Sequence, residues 1–287
     1  MGLLIKDILK IGETRLERAG IFNFKTDAAE LFCYLYNIER NKLFMSWSKS
    51  VDDNGCEQYF QLLDRRCSGV PLQYITGHQE FMGFDFEVNE SVLIPRQDTE
   101  VLVSEALDII KDKDRKIKKV LDLCTGSGAI GISLAKLSGA DVMASDISEE
   151  ALATAKRNAE KNGAKVTFAC GDLLAPFKKK FGRTKFDMIV SNPPYIPTAA
   201  IEGLQTEVKD HEPRLALDGG SDGLEFYRRI LREAPDFLRK GGMLILEIGC
   251  DQAASLASMA SDEQKYGGIR IVRDLAGLDR VAVLSVL

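Results

Sequence analysis

The stretch that decides the fold covers residues 189–195 and reads Ile189-Val190-Ser191-Asn192-Pro193-Pro194-Tyr195. A mainly apolar run over residues 186–190 leads into it and predicts a buried strand. The two consecutive prolines lack the backbone N–H that a helix or a sheet ladder requires, so the strand must end where they begin. In an open parallel α/β sheet, ligands bind outside the carboxyl ends of the strands. The stretch therefore predicts a strand that presents a rigid polar corner to a binding cleft.

The last four residues of this stretch, which we call the Asn-Pro-Pro-Tyr corner, contain the groups needed to hold a planar NH2 group. The Asn192 side chain and the Pro193 carbonyl offer acceptors for its two N–H bonds, and Tyr195 offers an aromatic face. Pro193 and Pro194 keep the backbone stiff. An amide or amino nitrogen is a poor nucleophile, so a catalyst must fix its hydrogens and its approach. We expect Asn192, Pro193 and Tyr195 to be catalytic and the whole corner to bind the substrate.

Length and composition are those of an ordinary globular protein. The 287 residues are 45% hydrophobic and 28% charged, which excludes disordered and collagen-like classes and leaves room for two domains. The formal net charge of −5 argues against a nucleic-acid substrate, because a phosphate backbone is usually met by a positive face. We therefore expect no direct nucleic-acid partner.

The number and spacing of the cysteines and histidines argue against a disulfide framework and against a metal centre. The six cysteines are scattered without a C-x-x-C pair, and His78 and His211 are the only histidines. Charged residues interrupt the apolar run near the N-terminus, and no uncharged apolar stretch approaches the roughly 18 residues of a membrane span. We expect no metal, no membrane contact and a cytoplasmic location.

Apolar residues at helical spacing dominate the first part of the chain. They predict helices over residues 4–18, from Thr26 to Ile38 and over 58–67, with no strand signal among them. Alternation after Gly83 predicts a short hairpin. We therefore predict an N-terminal helical domain over residues 1–78, a hairpin linker over 79–95 and an α/β domain over 96–287.

A helix should follow the linker, with Asp98 or Thr99 as its N-terminal cap. Arg96 lies just before it, where the linker could lean over the binding cleft, and it reads equally well as a surface turn residue. Packing remains the expected role of His211. Neither residue receives a chemical role from the sequence.

From residue 120 onward, strands alternate with helices. The predicted strands cover 120–124, 141–146, 166–170, 186–191, 243–248, 269–272 and 281–286. Helices should lie between them, and Pro235 should kink or split the one over 223–239. This pattern predicts an α/β fold with a doubly wound, mostly parallel, seven-stranded sheet. The last two strands should be antiparallel, because the connection between them is too short for a helical crossover.

A glycine-containing loop should join the first of these strands to its helix. It contains Cys124, Thr125, Gly126, Ser127 and Gly128. The glycines allow a ligand to approach the backbone, and the following helix N-terminus favours a carboxylate. The loop lacks the third glycine spacing of a pyrophosphate binder. Together with the strand before it, this loop favours a functional corner at 192–195 over a plain tight turn.

Two acids are predicted at the ends of the next two strands. Asp146 could hold both hydroxyls of a ribose, and Asp172 could accept from an adenine amino group while Leu173 packs on the ring. An adenosine with an amino-acid tail, opposite an NH2-binding corner, indicates S-adenosyl-L-methionine and methyl transfer. A nicotinamide-dependent enzyme is the nearest alternative for this sheet, but it has no evident use for the Asn-Pro-Pro-Tyr corner.

These motifs resemble those of a known family over nearly the whole chain. The motifs that carry the resemblance are Pro71-Leu72-Gln73-Tyr74-Ile75-Thr76-Gly77, Leu93-Ile94-Pro95-Arg96 with Asp98-Thr99-Glu100, the glycine loop, Val190 to Ile196, and Glu212-Pro213-Arg214-Leu215-Ala216-Leu217 with Gly219-Gly220. The chain resembles the release-factor glutamine N5-methyltransferases, the HemK/PrmC family. DNA adenine methyltransferases share the Asn-Pro-Pro-Tyr motif, so the combination of motifs is what makes the resemblance specific.

The resemblance implies a Rossmann-like class I methyltransferase fold and methylation of the glutamine in the Gly-Gly-Gln motif of peptide-chain release factors, a step in translation termination. It implies that Thr125 to Gly128, Asp146, Asp172 and Leu173 bind the cofactor, with Cys124 and Asn192 beside them. It also implies that the corner holds the glutamine and that the N-terminal helices recognise the release factor. Cys124 stands where the family frequently has glycine. We expect a monomer.

Other functions stay open at this point. In the same class, the substrate could be a glutamine of a ribosomal protein or, more distantly, N6 of a DNA adenine. In a different class, the chain could be a cofactor-binding regulator without catalysis. The intact corner argues against a regulator, since a pure binder needs no group to orient NH2.

Overall fold

The protein is described from a computed structural model that covers residues 3–180 and 185–287. The described residues form two compact units. One contains the chain up to His78 together with Gln205–His211, and the other contains Gln79–Leu204 and Glu212–Leu287. No sequence pattern predicted that Gln205–His211 would pack with the N-terminal helices. In the part of the chain that the structure describes, no helix is both long and apolar enough to cross a membrane.

The first unit is built from short helices and one small ladder. Its elements up to residue 77 are β1 Leu3–Leu4, α1 Ile5–Arg18, α2 Phe24–Tyr36, α3 Arg40–Leu43, β2 Ser50–Val51, α4 Asp53–Cys67 and α5 Leu72–Thr76. The three predicted helices are confirmed as α1, α2 and α4. The absence of strands was wrong, since β1 and β2 pair antiparallel. Helix α4 begins earlier than predicted because the Asp52 side chain accepts a hydrogen bond from the Gly55 amide.

A buried ion pair lies inside this helical unit. Arg66 of α4 contacts Asp27 of α2 at 2.7 Å, and both side chains are nearly fully buried. Arg66 also contacts Glu207 of Gln205–His211 at 2.5 Å and donates to the Val70 carbonyl. Burial raises the pKa of Asp27, although Arg66 opposes that rise. The apolar core around this pair includes Leu31, Phe32, Tyr59 and Leu63.

The second unit contains the predicted alternation of strands and helices. Its elements are β3 His78–Phe81, β4 Phe84–Glu87, α6 Gln97–Lys111, β5 Lys119–Leu123, α7 Ala129–Ser138, β6 Asp141–Asp146, α8 Glu149–Lys161, β7 Val166–Cys170, α9 Ala175–Lys180, β8 Phe186–Ser191, α10 Thr206–Lys209, α11 Arg214–Leu217, α12 Glu225–Glu233, β9 Leu238–Glu247, α13 Ala253–Asp262, β10 Tyr266–Arg273 and β11 Asp279–Val286. Of these, α10 belongs to the first unit, and β3 begins at its last residue.

The central sheet has seven strands in the order β10-β11-β9-β8-β5-β6-β7. β5 pairs in parallel with β6 and β8, and the pairs β6–β7 and β8–β9 are also parallel. β11 is antiparallel to β10, as the short final connection predicted, and it is also antiparallel to β9. The strand order reverses between β5 and β8, and such a switch point is where this architecture forms its ligand crevice.

Apolar cores cover both faces of the sheet. Along β5, Leu121 and Leu123 join one core, while Val120 joins the core on the opposite face. The same division separates Ile189 from Val190 on β8. Successive strand residues point to opposite faces, so a strand covered on both sides must be apolar throughout. This burial explains why the central strands read as continuous apolar runs.

Two local predictions are confirmed and one is wrong. A hairpin forms between β3 and β4, and its two-residue turn uses Met82 and Gly83, both at positive φ. Helix α12 ends at Glu233 and gives way to a short 3-10 turn that contains Pro235. Helix α6 begins at Gln97 without a side-chain cap, so neither Asp98 nor Thr99 caps it. Thr99 is buried within α6 instead.

Candidate active site

A cavity of about 370 Å³ lies outside the carboxyl ends of β5, β6, β7 and β8. Its size is within the range of small-molecule sites. The predicted site residues that line it are Cys124, Thr125, Gly126, Ser127, Asp146, Asp172, Leu173, Asn192 and Pro194. Gly128, Pro193 and Tyr195 are not among its lining residues. The structure therefore brings most of the predicted cofactor residues and half of the corner to one cavity.

The glycine loop after β5 turns sharply, with Cys124, Gly126 and Gly128 at positive φ. Asp122 holds the turn from below, since its Oδ2 accepts from the Thr125 hydroxyl at 2.6 Å and from the Gly131 amide at 2.9 Å. Burial raises the pKa of Asp122 to about 7, although these two hydrogen bonds oppose the rise. The loop is thus fixed by a buried carboxyl beneath it.

Gly128 does not line the cavity, and the side chains packed around it leave no room for a Cβ. At φ +85° a Cβ on this residue would lie 2.7 Å from Ile132 Cδ1 and 3.2 Å from Ala155 Cβ. The neighbouring Ser127 carbonyl accepts from Asn158 of α8, whose side chain also pairs with the backbone of Glu87. Sequence reasoning missed Asn158, because a buried asparagine within a helix resembles a surface residue until its partners are known.

Asp146 ends β6 and ties two loops together. Its Oδ2 accepts from the Gly126 amide at 2.9 Å, and its Oδ1 accepts from the Ser148 amide at 3.0 Å. Burial raises its pKa, and the amides of Ser148, Gly126 and Ile147 oppose that rise. Each carboxylate oxygen has a second lone pair. Asp146 can therefore still accept hydrogen bonds from ligand hydroxyls in the cavity.

Asp172 and Leu173 follow β7 and form the far wall of the cavity. Leu173 is buried, and Asp172 contacts Arg229 of α12 at 2.5 Å. Arg229 and Phe226, one helical turn apart on α12, line the same cavity. The sequence predicted α12 but not which of its faces would meet the cavity. Sequence reasoning missed Phe226 and Arg229 as lining residues, and it also missed those of the segment before α6, which are Ser91, Val92, Leu93 and Pro95.

The Asn192 side chain is held in place by α6. Its Nδ2 donates to the hydroxyl of Thr99 at 3.3 Å. This contact fixes the amide, so that its carbonyl oxygen is the end available to a ligand. Pro194 lines the cavity beside it, and Pro193 is buried. The Asn192 side chain is thus an oriented acceptor at the end of β8.

Tyr195 is anchored from behind by both its backbone and its side chain. Its carbonyl accepts from Gln252 Nε2 at 2.9 Å, and its hydroxyl donates to Glu247 Oε1 at 3.4 Å. Burial raises the pKa of Tyr195 well above its usual value, and the Glu247 carboxylate adds to the rise. Gly223 packs against this backbone, because a Cβ there would lie 2.4 Å from the Tyr195 carbonyl oxygen. The phenol therefore remains protonated.

Arg96 lines the cavity and contacts Glu212 at 2.5 Å. The Glu212 side chain is almost fully buried, whereas Arg96 is 42% exposed. His211 belongs to the N-terminal unit and lines no part of this cavity. In the described ranges 3–180 and 185–287, no group of acidic, histidine and cysteine residues has the arrangement of a metal site.

The cavity matches a nucleoside with an amino-acid tail. Ile147, Leu173 and Phe226 supply apolar walls for a ring, and Asp146 supplies acceptors for hydroxyls. The space around Gly126 is open, so a ligand can reach the loop backbone there. The N-terminus of α7 begins at the end of this loop and favours a carboxylate. These residues fit S-adenosylmethionine.

Comparisons with known proteins agree with this reading. Residues 114–280 match the family model described as "Methyltransferase domain", and residues 7–77 match "PrmC N-terminal domain". A release factor glutamine methyltransferase of Moorella thermoacetica is 44% identical over 269 residues, 93% of each chain. Another, from Geobacter sulfurreducens, is 43% identical over 278 residues, 96% of this chain and 95% of its own.

A solved structure supports the fold independently. The T. thermophilus 16S rRNA N2 G1207 methyltransferase, in complex with AdoMet and guanosine, has a TM-score of 0.53 at 17% identity. The match covers 73% of this chain and 50% of that one. The sheet has the seven-stranded, mostly parallel form predicted from the sequence, and the protein is an S-adenosylmethionine-dependent methyltransferase. From its similarity over most of its length, the chain belongs to the release factor glutamine methyltransferase family.

Proposed function

We propose that this enzyme transfers a methyl group from S-adenosylmethionine to the side-chain nitrogen N5 of the glutamine in the Gly-Gly-Gln motif of peptide-chain release factors. The oriented Asn192 amide at the edge of the cavity carries the proposal. A glutamine side chain ends in a planar NH2 group, and an oriented carbonyl acceptor is what such a group requires. Family membership supports the same substrate.

Different residues around the cavity bind different parts of the cofactor. The loop 124–128 and the N-terminus of α7 hold the amino-acid tail, Asp146 holds the ribose, and Asp172 with Leu173 holds the adenine. Asn192 borders the cofactor as well as the substrate. When bound, S-adenosylmethionine supplies an electrophilic methyl group on a positively charged sulfur. The apolar walls keep water from the cavity when it is filled.

The Asn-Pro-Pro-Tyr corner holds the glutamine. The Asn192 Oδ1 and the Pro193 carbonyl accept its two N–H bonds, which aims the nitrogen lone pair at the methyl group. Pro194 stiffens the wall, and the Tyr195 ring stacks on the amide plane. Since the phenol and the amide stay neutral, the catalytic gain comes from orientation and electrostatics rather than from a strong base. The leaving group is S-adenosylhomocysteine, and the methylated nitrogen releases its extra proton to solvent.

The N-terminal helical unit recognises the release factor. Residues 7–77 match a domain model named for this family, and the unit exposes the aromatic side chains of Phe22, Phe44 and Trp47. Aromatic residues are enriched at protein interfaces. An acidic chain with net charge −5 suits a protein substrate better than a nucleic acid. The enzyme acts as a monomer in the cytoplasm, where release factors act.

A methylation assay with labelled cofactor distinguishes among the candidate substrates. The protein is incubated with S-adenosylmethionine carrying a labelled methyl group and, in separate reactions, with a release factor, ribosomal subunits or DNA. We expect label in the release factor and none in the other two. Label only in ribosomal protein or only in DNA would contradict the proposal. Binding of the cofactor without transfer to any of the three would instead indicate a regulator.

A further inference from the structure

The buried carboxyl group of Glu247 interacts with Tyr195 of the corner and with Thr99 of α6. Glu247 is the last residue of β9, next to β8, and its side chain is 2% exposed. The Tyr195 hydroxyl donates to it at 3.4 Å. Thr99 also lowers its pKa, while its second carboxylate oxygen, Oε2, is buried and accepts no hydrogen bond from the described residues. Since the Thr99 hydroxyl accepts from the Asn192 amide, Glu247 interacts directly with Tyr195 and, through Thr99, with Asn192.

The direction of these hydrogen bonds decides which end of Asn192 faces the substrate. A carboxylate only accepts, so the Glu247 carboxylate favours the orientation in which the single hydroxyl hydrogen of Thr99 points towards it. The Thr99 oxygen then offers only lone pairs, and Asn192 must turn its NH2 towards it. The Asn192 carbonyl is thereby directed away from Thr99. If Thr99 could instead donate to Asn192, the amide could flip and present NH2 to the substrate.

We propose that Glu247 is a positioning residue for methyl transfer, which through Thr99 holds the Asn192 carbonyl towards the substrate NH2 group and through Tyr195 holds the aromatic face beside it. This inference rests on the proposed function of the corner. Glu247 does not touch the reacting atoms. Its contribution is to fix the direction of the hydrogen bond between Asn192 and Thr99, which a flipped or mobile asparagine would lose.

The charges around Glu247 make the ionised form accessible near neutral pH. Burial raises its pKa to about 7, while Thr99 and Arg280 oppose the rise. Asp98 of α6 raises it further and contacts Arg280 at 3.2 Å. The Tyr195 hydroxyl faces the carboxylate, and the hydroxyl of Tyr227 of α12 donates to the Glu247 backbone carbonyl. Below neutral pH the carboxyl gains a proton and can donate, which removes the directing effect.

Substitution by glutamine separates positioning from a merely structural role. Glu247→Gln keeps the size of the side chain, but the introduced amide can donate as well as accept. A buried group with a raised pKa lowers stability when ionised, so this variant should be at least as stable as the wild type at about pH 8. A purely structural role would therefore predict unchanged turnover. A positioning role predicts lower turnover in a protein that is not destabilised.

The test compares steady-state methylation of a release factor, thermal unfolding and S-adenosylhomocysteine binding for wild type, Glu247→Gln, Thr99→Val and Thr99→Ser. We expect kcat to fall roughly 10- to 100-fold in the first two variants, the range typical of lost orienting partners, with cofactor affinity kept. Thr99→Ser retains the hydroxyl and should recover much of the rate that Thr99→Val loses. Wild-type kcat should rise with pH around 7, and this rise should disappear in Glu247→Gln.

Glu105→Gln, also on α6, is the matched control because Glu105 pairs with Arg270 and, among the described residues, has no hydrogen bond or ion pair with Glu247, Thr99 or Asn192. It should leave turnover and its pH profile unchanged. Wild-type turnover in a folded Glu247→Gln variant, or an unchanged pH profile, would overturn the inference while leaving the proposed function intact. Absence of methyl transfer by the wild type would instead overturn the proposed function itself.

Discussion

Asn192 is the side chain whose carbonyl is proposed to accept from the substrate NH2 group. It lines the cavity and its amide is held by Thr99, so truncation should remove an oriented acceptor while leaving the glycine loop and Asp146 in place. We predict that Asn192→Ala lowers turnover on the order of 100-fold or more, as removal of a preorganised polar contact does elsewhere, and keeps cofactor binding. Calorimetry with S-adenosylhomocysteine and a methylation assay measure the two effects. Loss of cofactor affinity in parallel with activity would refute this division of roles.

Cys124 is strained where the family frequently has glycine. Its φ of +58° costs a residue with a Cβ roughly 1–2 kcal/mol, and burial raises the pKa of its thiol so that it stays neutral. We predict that Cys124→Gly keeps cofactor affinity within about threefold, because the thiol packs against the apolar core and glycine adopts this φ without strain. Cys124→Val, which adds branching at the same φ, should weaken binding by about tenfold or more. Equal affinities for these two variants would contradict the role given to the backbone.

Residue types at strand ends were predictable, but their partners were not. Asp146 and Asp172 were placed at the cavity by the positions of their strands. The contact between Asp172 and Arg229 joins residues far apart in the chain, so only the packing of α12 reveals it. The same holds for Glu247, whose strand reads simply as an apolar run. Burial and pairing of a carboxyl depend on tertiary structure and leave no local pattern.

Helix α4 depends on an interaction between charged residues inside the N-terminal unit. Arg66 is the cation that pairs with the buried Asp27, and it also contacts Glu207. We predict that Arg66→Leu lowers the free energy of unfolding by roughly 3–5 kcal/mol, because it leaves Asp27 buried without its partner. Chemical denaturation measures this loss. The double variant Arg66→Leu with Asp27→Leu should recover much of the stability, and failure to do so would show that shape rather than charge is the cause.

The type and order of most elements followed from periodicity, while their boundaries did not. Continuous apolar runs predicted the strands of the central sheet, and the short final connection predicted that β10 and β11 pair antiparallel. The two-residue strands β1 and β2 carry no pattern long enough to detect. Helix α6 lacks its predicted cap because Thr99 turns inward to the site. Functional packing here overrides local preference.

The stability of the whole molecule should depend on pH through its buried carboxyls. Burial raises the pKa of Asp122 and of Glu247 to about 7, so the folded protein holds protons that the unfolded chain releases at lower pH. This contribution is fully present below the unfolded pKa values, near 4, and is lost as pH rises through 7, at roughly 1.4 kcal/mol for each unit of pKa difference. Urea denaturation at about pH 5 and about pH 8 should show lower stability at the higher pH. The Glu247→Gln variant should lose less stability than the wild type between these two pH values. A loss equal to that of the wild type would contradict the assignment of a raised pKa to Glu247.

Peptide mapping by tandem mass spectrometry tests the central claim most directly, namely that the corner presents acceptors to a glutamine amide beside the methyl donor. A release factor is treated with the enzyme and S-adenosylmethionine, and its Gly-Gly-Gln peptide is fragmented. We predict the mass of one added methyl group on the glutamine side chain, and none when the enzyme is omitted. A methyl group on any other residue, or an unmodified peptide with active cofactor-loaded enzyme, would contradict the account.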